Sequence, residues 1–378
     1  MAEYKTLVKK IPVSPDKKTK QKDYLKKGQL PIVDQGQSLV GGYTDDANMT
    51  VECELPVIVF GDHTRAVKYI TFPFGAGADG IKVLQPKENI LPPFLYYGTQ
   101  YIVAKMPNRG YARHYQYVEK EDLPVPSLPE QERIVARIEE LFSQLDAGVE
   151  TLKKTKAEIV LYRQAVFSSV IGKYDGVSKK LSDIAVTVDG DRGKNYPKKA
   201  ELTQTGDCLF LTAANVKPYG WSFEDNTFIS KEKDSILHGG RLQKNDVVIT
   251  TRGTLGNVAI YDESVPFDTV RINSCMLIIR VTDESVSPYY LAQYLMSPMF
   301  KYQIAKLKSG TAQPQIPANI LREIPLKIPS SNDQNAIIGE LTGKFSVCDS
   351  IEQTVDTALQ QAEAMRQSIL KDAFEGKL

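Results

Sequence analysis

Two stretches of the chain read alike and decide its organisation: QERIVARIEELFSQLD at residues 131–146 and QNAIIGELTGKFSVCD at residues 334–349. They stand at a constant offset of 203 residues, since position 131 corresponds to position 334. The same offset places the sequence RQAV of residues 163–166 on RQSI of residues 366–369. A gap-free match of roughly 40 residues, with coinciding apolar positions, indicates an internal duplication.

Both copies have apolar residues mostly at steps of three and four, which is typical of a helix. The residues expected on the packed helix faces are Ile134, Ile138, Leu141, Leu145, Val149 and Leu152 in the first copy, and Ile338, Leu341, Phe345, Val355, Met365 and Ile369 in the second. Each helix would be about 60 Å long. Because one apolar stripe needs a partner, we expect the two helices to form an intramolecular antiparallel coiled coil. The alternative is that each helix packs only on its adjacent domain.

The segments before the two helices are rich in short β-branched runs, such as residues 101–104 and 275–279, broken by Gly, Pro, Asn and Asp. A shorter helix is expected at residues 288–295. The sequence therefore predicts a mixed α+β chain with a pseudo-two-fold repeat. Its parts are an α/β domain at 1–128, a long helix at 129–174, a second α/β domain at 175–328 and a second long helix at 329–378. The helices have stayed alike while the domains have diverged, which suggests one shared task and two different targets.

Composition limits the classes of function. Hydrophobic residues make up 42% and charged residues 25% of the 378, as in an ordinary globular protein. The formal net charge is only +1, so any contact with nucleic acid would need local clustering of positive charge. The four cysteines form no Cys-x-x-Cys pair, and no metal site is expected. No signal peptide and no membrane span are expected, and the cysteines are interpreted as reduced.

Four motifs carry a resemblance to a known family. They are LPEQERIV at residues 128–135, RGTLG at 252–256, SGTAQPQI at 309–316 and AFEGKL at 373–378. Together they make nearly the whole chain resemble the specificity subunit of type I restriction-modification systems. The first domain departs from the pattern. It has GDHTR at 61–65 where the second domain has TRGT at 251–254, and RGYARH at 109–114 roughly where SGT at 309–311 would stand. The second helix opening, PSSNDQ at 329–334, lacks the Glu before Gln.

The resemblance implies a non-catalytic subunit that reads duplex DNA. Each α/β domain would be a target-recognition domain for one half of a bipartite, asymmetric target, and the helix pair would set the spacer between the halves. The implied partners are two methyltransferase (modification) subunits and restriction/translocase subunits. S-adenosylmethionine, ATP and Mg would belong to those partners, and this chain would hold no metal or cofactor. The implied location is the prokaryotic cytoplasm.

Candidate DNA-contacting residues lie in Gly-, Lys- and Arg-bearing loops. Arg pairs with guanine and Asn or Gln with adenine, whereas Lys, hydroxyls and loop amides bind phosphates. The candidates in the second domain are Arg252, Gly253 and Thr254, then Lys306, Lys308, Ser309, Gly310, Gln313 and Gln315, then Arg192, Lys194, Lys198 and Lys199. Those in the first domain are Lys17, Lys18, Lys20 and Lys22 for phosphates, and Arg65, Lys68, Arg109, Arg113 and His114 for bases. The alternative for the loops of the second domain is a solvated turn or surface loop, and for Lys17, Lys18, Lys20 and Lys22 it is a disordered linker.

The enzyme alternatives fail at particular residues. Residues 91–94 read LPPF, but an adenine methyltransferase needs Asn, Asp or Ser before the two prolines, and Leu91 cannot accept that hydrogen bond. The glycine-rich residues 75–80 do not follow a clear strand and open a clear helix. The chain has no Walker loop and no convincing nucleophile–base grouping. The remaining alternative is a non-catalytic coiled-coil scaffold whose paired domains bind protein partners.

Overall fold

The computed structural model describes residues 1–78, 80–107, 110–307 and 315–378. The chain divides into two compact units. Unit 1 comprises Met1–Lys154 and Val355–Leu378, and unit 2 comprises Thr155–Thr354. Both boundaries fall inside long helices, so each unit contains one α/β domain together with segments of both helices.

The elements from the N-terminus to the first long helix are β1 (Ala2–Glu3), α1 (Tyr4–Leu7), β2 (Val8–Ile11), β3 (Lys18–Thr19), β4 (Leu30–Val33), β5 (Gly42–Thr44), β6 (Val57–Gly61), β7 (Val67–Ile70), β8 (Gly75–Gly77), β9 (Ile81–Pro86), α2 (Pro92–Lys105), α3 (Tyr115–Val118), β10 (Asp122–Leu123) and α4 (Leu128–Gly172).

The following elements are β11 (Val177–Lys180), α5 (Leu181–Ile184), β12 (Ala185–Asp189), β13 (Cys208–Leu211), β14 (Val216–Lys217), β15 (Gly220–Trp221), β16 (Phe228–Ile229), α6 (Lys231–Ile236), β17 (Asp246–Thr250), β18 (Val258–Tyr261), β19 (Val270–Ile272), β20 (Met276–Val281), α7 (Pro288–Met296), α8 (Pro298–Leu307), α9 (Ala318–Arg322), β21 (Pro325–Ile328) and α10 (Ser331–Phe374).

The domain of unit 1 is built on a four-stranded antiparallel sheet in the order β2-β9-β6-β7. A second sheet has the order β3-β8-β4-β5, with β8 parallel to both β3 and β4. Strand β6 is buried on both faces. Ile58 and Phe60 pack with Phe94 of α2, while Val57 and Val59 belong to a separate cluster on the other face. Burial on both faces explains why the strand is a continuous apolar run rather than an alternating one.

The domain of unit 2 repeats this plan. Its four-stranded sheet has the order β12-β20-β17-β18, and a smaller sheet has the order β16-β13-β19 with β19 parallel to β13. Strand β17 again divides its side chains between two clusters, Val247 and Ile249 on one face and Val248 on the other. The predicted mixed α+β fold with an internal repeat is thus confirmed, and the repeat extends through the domains as well as the helices.

A buried glutamine anchors the start of each long helix. Gln131 donates from Nε2 to the carbonyl oxygens of Asn89 (3.0 Å) and Pro126 (2.9 Å), and its Oε1 accepts from the Leu91 amide (2.8 Å). Gln334 makes the corresponding bonds with Ser285 O (2.8 Å), Pro329 O (2.9 Å) and Ser287 N (2.8 Å). Because Leu91 and Ser287 directly precede α2 and α7, each glutamine ties a long helix to the short helix of its own domain.

In unit 1 the beginning of α4 packs against the end of α10. The Arg366 guanidinium forms an ion pair with Asp146 and lies 4.3 Å from the centre of the Phe142 ring. Arg133 donates to the carbonyl oxygen of Leu378 at 2.9 Å. The two helix segments therefore run antiparallel in this unit.

In unit 2 the end of α4 packs against the beginning of α10. Arg163, whose side chain is 1% exposed, contacts Asp349 at 2.5 Å and Glu352 at 3.1 Å. Its guanidinium lies 5.3 Å from the centre of the Phe345 ring. The pair of Arg163 and Asp349 is the counterpart of Arg366 and Asp146, because each residue is displaced by the same 203 positions.

Some residues predicted on the helix faces pack on the adjacent domain as well as on the other helix. Ile134 and Ile138 belong to the core of the first domain, and Leu341 and Phe345 to that of the second, so each helix packs on its domain as well as on its twin. Met365 is 55% exposed, so it does not pack within the helix pair, and its contact with a partner subunit stays a prediction. The described residues include no helix that is both long and apolar enough to cross a membrane.

The helix limits lie close to the predicted ones. Helix α4 covers Leu128–Gly172 where the sequence predicts 129–174, and α10 covers Ser331–Phe374 where it predicts 329–378. Gly376, with φ of 72°, supplies the left-handed conformation that commonly terminates a helix, so the last residues of the chain are not helical.

We predict that Arg163→Ala destabilises unit 2 by about 2–3 kcal/mol, because it removes a buried side chain from the rings of Tyr219 and Phe345 and leaves the partly buried Glu352 without its cation. The chain has a single tryptophan, Trp221, in β15 of the same unit. Urea unfolding followed by Trp221 fluorescence should therefore show an earlier midpoint. Gln164→Ala, at the neighbouring exposed position, is the control. Equal midpoints for the two variants would contradict the role given to Arg163.

Candidate nucleic-acid interface

A polar cleft of about 290 Å³ opens at one end of the strands in the main sheet of unit 2, here called the sheet edge. At this edge β12 and β17 end and β20 begins, since Asp189 pairs with Leu277 and Thr250 with Met276. The cleft is lined by Asp189, Arg192, Thr251, Arg252, Leu277 and residues 315–319. It brings together three of the predicted DNA-contacting residues, Arg192, Arg252 and Gln315.

Arg252 is held at the mouth of the cleft by its backbone and by one side-chain bond. The amides of Thr251 and Arg252 both donate to the carbonyl oxygen of Cys275 (2.8 and 3.2 Å). The Arg252 Nε donates to Gln315 Oε1 at 3.1 Å. Within the described part of the chain, the terminal guanidinium nitrogens of this exposed residue make no hydrogen bond to protein, so they are available to a ligand.

The turn after Arg252 needs glycine. Gly253 has φ of 74° and Gly256 has φ of 75°, a backbone region that L side chains rarely adopt. A Cβ at Gly253 would meet no atom within 4 Å, so the backbone there is open to solvent. Thr254, the remaining residue predicted in this turn, is exposed.

Acidic side chains in and beside the cleft reduce its net positive charge. Arg192 forms an ion pair with Asp189 (3.2 Å). Burial raises the pKa of Asp191, but hydrogen bonds from the backbone amides of His238, Arg192 and Gly239 outweigh it and hold that pKa below its usual value. The other predicted residues of this segment, Lys194, Lys198 and Lys199, are exposed and do not line the cleft.

Part of the predicted site falls on other surfaces or outside the described residues. Lys306 lies in the last turn of α8, with its Nζ 4.0 Å from the centre of the Tyr302 ring. It lines a separate, mainly apolar groove with Leu307 and Ile320. Lys308, Ser309, Gly310 and Gln313 lie outside the described residues, as does Arg109 of the first domain.

The main sheet of unit 1 has the equivalent edge. Strand β6 ends at Gly61, and the amide of His114 donates to the Asp62 carbonyl oxygen at 2.8 Å. The next residue, His63, lies with its Nδ1 3.2 Å from Ala112 O. Its ring is stacked on Tyr111 at 4.3 Å between ring centres, with 4° between the planes. Neither His63 nor Tyr111 is among the residues selected from sequence, although the alignment of residues 61–65 with 251–254 already placed His63 in this turn.

Two of the residues selected for base reading are internal to the first domain. Lys68 is 4% exposed and donates to the Asp34 carbonyl oxygen at 2.7 Å. Burial lowers the pKa of Lys68, which Asp34 partly opposes. His114 is fully buried with its Nδ1 3.0 Å from Asp62 O. These side chains hold loops together and do not face solvent, which corrects their assignment as surface contacts.

The remaining candidates of the first domain face solvent to different degrees. Arg65 is half-buried and donates to Met106 O at 3.3 Å, whereas Arg113 is exposed. Lys17 is paired with Glu52 at 2.6 Å. Lys18 is half-buried in β3, and Lys20 and Lys22 are exposed beside it.

A repeated mixed domain, a long helix after each copy, and two edge sites with different side chains define a two-domain recognition protein. The family model of the type I restriction modification DNA specificity domain matches residues 10–160 and 175–361. The chain belongs to that family, as its motifs predict.

Relatives support the assignment over most of the chain. The type I restriction enzyme EcoBI specificity subunit of Escherichia coli is 24% identical over 371 residues, covering 90% of this chain and 74% of the relative. The EcoR124I/EcoR124II specificity subunit of Escherichia coli is 22% identical over 364 residues, covering 92% and 86%. A solved chain from work described as the structural basis of complex assembly and conformational transition of the type I R-M system shares the fold. It has a TM-score of 0.67 at 15% identity, covering 100% of this chain and 97% of the other.

Proposed function

We propose that this chain reads DNA as the specificity subunit of a type I restriction-modification complex. Each domain contacts one half of a bipartite, asymmetric target, and the helices hold methyltransferase and restriction subunits that perform the chemistry. The observation that carries the proposal is that equivalent sheet edges in the two units present different side chains, Arg252 with Gln315 in one and His63 with Tyr111 in the other. Different side chains on one framework are what an asymmetric target requires.

The edge site of unit 2 has the chemistry of a base reader. Arg forms two parallel hydrogen bonds with guanine O6 and N7, and Gln does so with adenine N6 and N7. Arg252 and Gln315 are already oriented by their mutual hydrogen bond, which lowers the entropy lost on binding. Family membership favours this role over a scaffold that binds only proteins.

We expect co-expression of this chain with a cognate methyltransferase subunit to produce methylated adenines in a bipartite, asymmetric sequence motif. Sequencing that detects modified bases across the host genome makes the measurement. The methyltransferase expressed alone is the control and should give no such motif. Methylation without a two-part motif would count against the proposal.

Arg252→Ala should cost about 1–3 kcal/mol of discrimination at one base pair of one half-site, because it removes a bidentate contact. The assay is competition binding of the assembled complex to duplexes that carry one substituted base pair each. Arg252→Lys is the matched control, since lysine keeps the charge but lacks the planar fork. An alanine variant that binds every duplex more weakly but keeps the same base preference would show that Arg252 only binds phosphate.

Four large apolar side chains of the helix segments of unit 2 are exposed, and they are here called the apolar face of unit 2. They are Leu161 (64% exposed), Tyr162 (52%), Val347 (59%) and Ile351 (41%). At the positions displaced by 203, unit 1 has the less apolar set Ala364, Met365, Gln144 and Gly148. Large apolar side chains at such exposure mark a surface for a partner. We propose that a helix of a methyltransferase subunit packs on the apolar face of unit 2.

Val347→Asp should therefore release one methyltransferase subunit from the assembled complex, because a charge on this face would be buried without a partner. Native mass spectrometry of the complex measures the number of bound subunits. Gln144→Asp, at the corresponding position of unit 1, is the matched control and should leave the subunit count unchanged. An intact count for Val347→Asp, with unaltered Trp221-reported unfolding, would refute the docking surface.

A further inference from the structure

We infer that the first domain reads a thymine of its half-site through Tyr111, with the imidazole of His63 holding the phenol ring in place. The inference rests on the proposed function and names the side chains that carry it out in this domain. Tyr111 would contact the base, and His63 would be a positioning residue.

The hydrogen bonds at the two sheet edges establish which residues correspond. In unit 1 the Asp62 amide donates to Gly80 O (2.6 Å), and Asp62 O accepts from the His114 amide. In unit 2 the Thr251 amide donates to Cys275 O, and Thr251 O accepts from the Ile316 amide at 3.0 Å. Gly80 directly precedes β9, as Cys275 directly precedes β20.

His63 occupies the position that Arg252 has in the second domain. His63 directly follows Asp62 and Arg252 directly follows Thr251, and Asp62 and Thr251 make the equivalent hydrogen bonds. The hydrogen bonds likewise place Arg113 where the second domain has Gln315, one residue before the amide donor. The position that presents a guanidinium in one unit therefore presents an aromatic pair in the other. The alignment of residues 61–65 with 251–254 places His63 in the equivalent turn, and the hydrogen bonds assign it to the position of Arg252.

The orientation of His63 is determined by its hydrogen bond. A carbonyl oxygen only accepts, so the Nδ1 of His63 must donate to Ala112 O. The bond fixes the plane of the imidazole, and the nearly parallel stack transfers that orientation to the Tyr111 ring. One face of the phenol is covered in this way.

The rest of Tyr111 is offered to solvent, since the residue is 84% exposed. A tyrosine gives a large apolar contact at a low entropy cost because it has only two side-chain torsions. In the major groove the apolar feature that distinguishes one base is the C5-methyl group of thymine. The phenol ring supplies a surface for that methyl group, and its hydroxyl can add one hydrogen bond to a base edge.

The two sheet edges therefore offer a base different kinds of contact. Arg252 and Gln315 offer several hydrogen-bonding groups in fixed geometry, which suits purines. Tyr111 offers an apolar surface, and the exposed Arg113 beside it adds a positive charge for a phosphate or a base. Under this assignment the half-site read by the first domain contains a thymine whose methyl group contributes to binding.

Replacing single thymines by uracil tests the inference, because uracil lacks only the methyl group. The assay is competition binding of the complex assembled with its methyltransferase subunits, using duplexes in which each thymine of the half-site read by the first domain is replaced in turn. For the unsubstituted protein, one replacement should weaken binding about fourfold, the effect of one apolar carbon. Tyr111→Ala should bind the thymine and uracil duplexes equally, and Tyr111→Phe should retain the methyl preference.

His63→Ala should reduce the methyl preference without abolishing it, because the phenol remains but is no longer held. Tyr289→Ala is the matched control. Tyr289 is an exposed tyrosine near Asp262 and Glu263, which follow β18 at the opposite end of the sheet from Arg252. Preferences in the half-site read by the second domain should be unchanged in all these variants.

Two results would overturn the inference. One is a Tyr111→Ala complex with the same preference as the unsubstituted protein at every position; the other is the absence of any uracil effect in the unsubstituted protein. In both cases a bipartite methylation motif would still support the proposed function. A complex that selects no bipartite target would instead remove the proposed function and this inference together.

Discussion

The rest of the structure depends on an antiparallel contact between two long helices, secured in each unit by an arginine of one helix and an aspartate of the other. The pairs are Arg366 with Asp146 in unit 1 and Arg163 with Asp349 in unit 2. One helical repeat, used twice in opposite directions, generates both pairs, because it carries the aspartate in its first half and the arginine in its second half. The arginine of the second pair is the more buried of the two, and its guanidinium contacts the rings of Tyr219 and Phe345.

A second repeated constraint connects the helices to the domains. Gln131 and Gln334 each form hydrogen bonds with three backbone groups, and each bond contributes about 0.5–1.5 kcal/mol to stability. The same backbone bonds recur at the two sheet edges, where the amides of His114 and Ile316 close equivalent turns. The framework is therefore common to both domains, and only the side chains that it presents differ. This separation lets one fold serve two recognition tasks.

Residue type alone was a poor guide within those loops. Lys68 and His114 have the chemistry of DNA contacts, but the fold buries both and uses their polar atoms to hold Asp34 and Asp62. Tyr111, which is not among the residues selected from sequence, is 84% exposed. Whether a polar side chain faces solvent depends on its contacts with strands that are distant in sequence. The sequence of a single loop does not predict those contacts.

The sequence by itself determined the duplication, the helical periodicity, the mixed α+β class and the family, because these follow from local spacing and from the comparison of one half of the chain with the other. Only the tertiary structure decided which side chains meet at the sheet edges and which helix residues remain exposed. Those outcomes depend on strand pairing between residues such as Asp189 and Leu277, or Gly61 and Ile81. Long-range pairing is set by the burial of whole sheet faces, which no single segment of the chain specifies.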